Sequence, residues 1–145
     1  MRRVLCVLTA VFAMSLNPAL AGEDEVTSQI ESMHGGVETF NEAFDKLTRA
    51  MADGDAEAVA QLSEYPLLVH ANGETYDVRS GADVIDNFET LVSEETRSIV
   101  ANQAYGDLFV NGDGVMFGDG ALWMHKVCED DDCQNSYWAI RSISQ

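Results

Sequence analysis

Residues 65–79 read YPLLVHANGETYDVR, and here the hydrophobic period of the chain changes from helical to extended. Pro66 removes a backbone donor and closes off the helical stretch before it. Leu67 to Ala71 and Thr75 to Arg79 look extended, with Asn72-Gly73 between them. Asn-Gly between two such runs is the strongest short hairpin signal, because both central positions of a type I′ turn need positive φ. A two-residue turn sets His70 across from about Thr75. Period-two alternation then puts His70 on a face with Leu68, opposite Leu67, Val69 and Ala71.

Upstream the period is helical. Val37, Phe40, Phe44, Leu47 and Met51 recur every three or four residues, while Glu38, Glu42, Asp45 and Lys46 occupy the other faces. That pattern predicts an amphipathic helix packed on a core. Asp53-Gly54 ends it, and Asp55 can cap a second, shorter helix from Ala56 to about Ser63. An acidic segment, residues 22–36, comes first and ends in Gly35-Gly36; its Val26, Ile30 and Met33 are spaced for one helical stripe. Downstream of the hairpin, Ser80 with Asp83 resembles a capping box ahead of a further helix marked by Val84, Phe88 and Leu91. After Glu95 the reading turns to strands at about 96–104, 114–118, 121–128 and 133–143, separated by Gly112, Gly114, Gly118 and Gly120. Helices first and strands after argue an α+β domain with helices covering one face of a curved antiparallel sheet.

The N-terminus is read as an export signal. Arg2 and Arg3 precede an apolar run from Val4 to Leu16, Pro18 breaks the run, and Ala19-Leu20-Ala21 supplies small residues for cleavage before Gly22. The run is shorter than the roughly 18 to 20 residues needed to span a bilayer. The expectation is a periplasmic or secreted protein of residues 22–145, with residues 1–21 as signal peptide and no membrane insertion after cleavage. Cys6 leaves with the leader. Cys128 and Cys133 remain, an even pair in an oxidising compartment. A bridge between them closes the Glu129–Asp132 tip and contributes about 2 kcal/mol by loop entropy. A redox pair usually sits two residues apart at a helix start, and zinc wants four ligands, so a structural disulfide is the favoured reading.

The chain has 25 acidic and eight basic residues, for a formal charge of −17. Loss of Arg2 and Arg3 makes the mature protein two charges more negative. Such a field repels nucleic acid and anionic lipid, and favours cations, basic ligands or a basic protein partner. It also serves solubility without any partner.

The order of elements resembles the NTF2-like superfamily, also called SnoaL-like or ketosteroid-isomerase-like. The resemblance covers roughly residues 37–143. It is carried by the acid-rich helix pair, Tyr65-Pro66-Leu67, Asp107 to Asn111, Gly114 to Gly118, Gly120 to Trp123, and Trp138-Ala139-Ile140. The block from Asp107 to Trp123 looks like that of small exported bacterial members. The resemblance implies a cone over residues 37–145, a curved antiparallel sheet of about six strands covered by three helices. It selects no function, because this cone hosts isomerases, dehydratases, transport factors and binding domains alike.

Such a cone implies a cavity between helices and sheet. Ala121, Trp123, His125 and Val127 share one side of their strand, and Leu122, Met124 and Lys126 the other. Trp123 beside His125 can line a pocket, with Tyr76 and Tyr105 as further lining; the alternative makes Trp123 core and His125 a satisfied or solvated residue. Catalytic candidates are His70 and His125, with Asp77 or Asp86 as the carboxylate that acid–base chemistry needs. His34, beside two glycines, reads as exposed. Asp53, Asp55, Glu57 and Glu64 match EF-hand ligand spacing, but Ala58 stands where the sharp turn requires Gly, so no metal site is expected. Nothing resembles a nucleophile elbow, a phosphate loop or a dinucleotide fingerprint, and no cofactor is expected.

The leading expectation is therefore an exported binding domain. Its ligand is either a small apolar molecule in the cone or a basic protein on the acidic surface. The alternative is a cofactor-independent isomerase or dehydratase using a cone His and a carboxylate. On the terminal strand, Trp138 and Ile140 fall on one face and Tyr137, Ala139 and Ile143 on the other. A strand apolar on both sides suits a homodimer.

Overall fold

The computed structural model describes residues 18–145, with side chains from residue 22 onward. The signal-peptide reading rests on residues 1–21 and lies outside the described side chains. The hairpin forms as its turn dictates. Strands β1 (Ser63–Ala71) and β2 (Glu74–Val78) pair antiparallel, with His70 opposite Thr75 and Leu68 opposite Asp77. Asn72 and Gly73 hold φ of 54° and 79°, the positive values a type I′ turn demands.

Three helices precede the hairpin: α1 (Pro18–Met33), α2 (Val37–Asp53) and α3 (Ala56–Leu62). Helix α2 buries Phe40, Ala43, Leu47, Ala50 and Met51, the stripe its period predicts, while Phe44 packs half-buried against the core. The Asp55 carboxylate accepts the Ala58 amide at 3.0 Å and caps α3. Helix α1 buries Val26 and Ile30 in the same core, whereas Met33 stands exposed.

After the hairpin the helical reading is partly corrected. Ser80 caps α4 (Gly81–Asp86) by accepting the Asp83 amide, and Asn87 breaks the expected single helix before α5 (Phe88–Leu91). The strand expected at 96–104 is instead α6 (Glu94–Ala101). Ser93 accepts the Thr96 amide at 3.1 Å, and Glu94 and Glu95 fill the first turn, where the helix dipole favours acids. Thr96 and Val100, four residues apart, form the single buried stripe of that helix. The strand-favouring residues Thr96, Ile99 and Val100 suggest a strand, but the cap and the packed stripe decide for helix.

The remaining strands are β3 (Phe109–Asn111), which the periodicity does not reveal, β4 (Gly114–Phe117), β5 (Leu122–Cys128) and β6 (Ser136–Ser144). The six-stranded sheet has the order β2-β1-β6-β5-β4-β3. The expected antiparallel sheet is mixed, because β1 and β6 run parallel. The chain's last strand enters between the hairpin and the β3–β5 meander, and its direction is set by β5. The three helices expected over the sheet become six α-helices among the described residues.

A second correction falls on β6. Trp123 pairs with Ser142 while Met124 pairs with Ile140, so Arg141 is an extra, bulged residue. The bulge shifts the alternation by one. Ile143 therefore joins Trp138 and Ile140 in the core rather than facing outward with Tyr137 and Ala139. The terminal strand is not apolar on both sides in the way that suggested a dimer.

The helix-covered side of the sheet is filled. Phe40 packs edge-on against Trp138 at 4.9 Å, Phe44 stacks on Phe117 at 5.8 Å, and Tyr105 meets Phe44 edge-on at 5.2 Å. No described helix is long and apolar enough to cross a membrane.

Candidate functional site

The register of the strands fixes one row of side chains across the outer face of the sheet. Phe109 faces Met116, Met116 faces Trp123, Trp123 faces Ser142, Ser142 faces Leu68 and Leu68 faces Asp77. Residues directly opposite in a ladder share a face, so these project away from the helices. On β5 the burial agrees. Leu122 and Met124 are fully buried toward the core, while Trp123 and His125 are half-exposed on the outside. Trp123 and His125 do share a face, but it is not the helix-covered one.

The bulge at Arg141 gives that outer face its chemistry. Without the extra residue, strict alternation would send Arg141 and Ser142 to opposite sides. With it, both line a depression of about 340 Å³ together with Trp123, His125 and Asp113. Phe109 stands edge-on to Trp123, their rings 6.3 Å apart at 85°. The depression thus has an aromatic wall, a guanidinium, a hydroxyl and a carboxylate. Asp113 comes from the β3–β4 turn, where the Asn111 side chain accepts its amide at 2.9 Å. Among the described residues, neither Arg141 nor Asp113 has an ion-pair partner.

Beside this depression His125 Nε2 contacts the Glu64 carboxylate directly. A carboxylate oxygen accepts, so Nε2 is the donor in this contact and Nδ1 faces away from Glu64. Ala139, directly opposite His125 on the intervening strand, is only 1% exposed. Its small side chain lets a pair from β1 and β5 meet across β6. Glu64 is a partner that sequence reasoning missed. The two residues are 61 apart, and the one local pattern that includes Glu64 is the EF-hand spacing.

The other candidates stand apart. His70 Nδ1 bonds to the Thr75 hydroxyl at 2.9 Å. Asp77 is displaced along the ladder, across from Leu68, and Asp86 is exposed on α4. Tyr76 is exposed at the sheet edge and donates to Glu74 at 2.6 Å, a bond that raises its phenol pKa above the ordinary value. Tyr105 lies among the core aromatics, where burial raises its phenol pKa, and its hydroxyl donates to Asn41 at 2.8 Å. Trp123, His125, Tyr76 and Tyr105 therefore do not gather around one cavity. His34 is not free either. Its Nε2 donates to the Asn111 carbonyl at 2.8 Å, and its ring meets Trp138 edge-on at 5.2 Å.

Cys128 and Cys133 are bonded, their Cα atoms 4.7 Å apart. The acidic tip they close is ordered from within. The Asp130 carboxylate accepts the Gln134 amide at 2.7 Å and the Asn135 amide at 2.9 Å. These bonds, led by the one from Asn135, hold the Asp130 carboxyl below its ordinary pKa. Among the described residues no group of three or more His, Cys, Asp or Glu is placed to hold a metal ion. Comparisons with family models, curated proteins and solved structures find no match for this chain.

Proposed function

We propose that this chain is an exported binding domain of NTF2-like type, and that its ligand seat is the outer-face depression around Trp123 rather than the interior of the cone. The curved six-stranded sheet with helices packed on one side supports the NTF2-like reading. The observation that carries the seat is the β6 bulge. It sets Arg141 and Ser142 together beside Trp123, while Phe40, Phe44, Phe117 and Trp138 fill the opposite face. Bulges recur where a strand must re-aim a side chain at a ligand.

Native mass spectrometry of the protein from its own exported fraction tests this. A retained small mass, lost in Trp123→Ala, is the expected result. A bound basic polypeptide whose capture weakens steeply with salt would move the function to the acidic surface.

A second reading rests on the His125–Glu64 contact. It is an acid–base pair on the rim of the same depression, of the kind a cofactor-independent isomerase or dehydratase uses. Under that reading, Glu64→Gln lowers turnover of a processed ligand by about 10²–10⁴-fold while leaving its affinity unchanged. Equal turnover in the variant removes the reading.

A further inference from the structure

The depression at Trp123 holds two opposite charges that do not satisfy each other. Arg141 reaches into it from the bulge in β6 and Asp113 from the β3–β4 turn. Both line the same space, yet neither is in ion-pair contact with the other or with any other described residue. Both are exposed, so water satisfies them in the free protein. The half-exposed Trp123 and His125 rings and the Ser142 hydroxyl line the same space. We propose that this site takes a zwitterionic small molecule with an aromatic or large apolar side chain, of the α-amino-acid class. The proposal rests on the outer-face seat argued above.

The charges exclude the simpler ligands. An anion would meet Arg141, but it would have to approach a chain of formal charge −17 and sit beside Asp113 and the neighbouring Glu64. A cation would be drawn by that field and by the Trp123 face, but it would be seated against the positive charge of Arg141. A zwitterion carries no net charge, so the acidic field does not repel it. Its carboxylate has the planar Arg141 fork and the Ser142 hydroxyl as donors, and its ammonium has the Asp113 carboxylate as acceptor. The side chain then lies on Trp123, whose outer edge is walled by Phe109. A volume of about 340 Å³ stands at the low end of the roughly 300–1,000 Å³ seen for small-molecule sites, which suits one amino acid better than a peptide.

The test compares three probes with the same phenyl group and different charged groups: L-phenylalanine with both, 3-phenylpropionate with the carboxylate alone and phenethylamine with the ammonium alone. Binding is read from the indole N–H resonances in NMR. The chain has two tryptophans, and the core residue Trp138 is the internal control for Trp123 and for the fold of each variant. L-phenylalanine is expected to shift the Trp123 resonance alone, with a Kd about tenfold or more below either analogue, since each charge-assisted contact contributes on that order. Arg141→Gln and Asp113→Asn should each abolish the preference while leaving the Trp138 resonance in place. If the analogues shift Trp123 as readily as L-phenylalanine does, the zwitterion class falls and the seat stands. If no probe shifts Trp123, or the shifts fall on Trp138, both fall.

Discussion

A Cβ on Gly114 would lie 2.1 Å from the carbonyl oxygen of Met124, at a φ of 144° that side chains rarely adopt. The obstacle is backbone in a paired strand, so it cannot rotate away. Gly114→Ala is expected to cost about 2–4 kcal/mol in chemical denaturation, with the midpoint moving and the m-value unchanged. Asp130 acts through hydrogen bonds instead. Its carboxyl is held below the ordinary 3.8, so its stabilisation of the disulfide loop is complete above that value. It is lost as pH falls through the lower folded value. The Gln134 and Asn135 amide resonances should therefore titrate with a midpoint below 3.8, and Asp130→Asn should remove that transition. A midpoint at or above the ordinary value would mean the loop is held by the disulfide alone.

Elements were legible where a local signal ends or turns them. Asn72-Gly73 sets the hairpin and its register, Asp55 starts α3, and Ser80 starts α4. Helix α6 shows the opposite outcome. Ser93-Glu94-Glu95 is an adequate start signal, but the residues after it favour strands, and only packing of Thr96 and Val100 into the core decides between the two. Removing the cap tests that balance. Ser93→Ala should cost about 1 kcal/mol in thermal or chemical unfolding, the usual effect of an N-cap loss. An unchanged stability would mean that packing alone holds α6. The bulge in β6 had no local sign in Trp138 to Ile143. It follows from register against β5, and period-two reading therefore assigned Ile143 to the wrong face.

At the scale of the molecule, α1 belongs to the same hydrophobic core as the sheet, since Ile30 is fully buried with Leu122 and Ile140. Ile30→Ala is expected to cost about 2–5 kcal/mol and to lower the midpoint of one cooperative transition. A separate early transition would instead make α1 an independent element. The charge acts at the same scale. Among the described residues Arg97–Glu89 is the one pair of fixed charges, beside the His125–Glu64 contact, against a formal charge of −17. Added salt therefore screens more repulsion than attraction. The Tm should rise as NaCl increases from about 10 mM to 1 M, over which the Debye length falls from about 30 to 3 Å. A falling Tm would show that specific ion pairs outweigh the general repulsion.

Composition, caps, the Asn-Gly turn and the Cys128–Cys133 spacing were enough to determine an acidic α+β domain with a bridged acidic loop, because each depends on residues close in the chain. Tertiary structure alone decided which face of β5 meets the helices and placed β1 parallel to β6. It also brought Glu64 to His125, and Arg141 and Asp113 to the same depression as Trp123. Those pairings join distant strands, and one bulged residue reverses every inside–outside assignment after it, so no local period contains them.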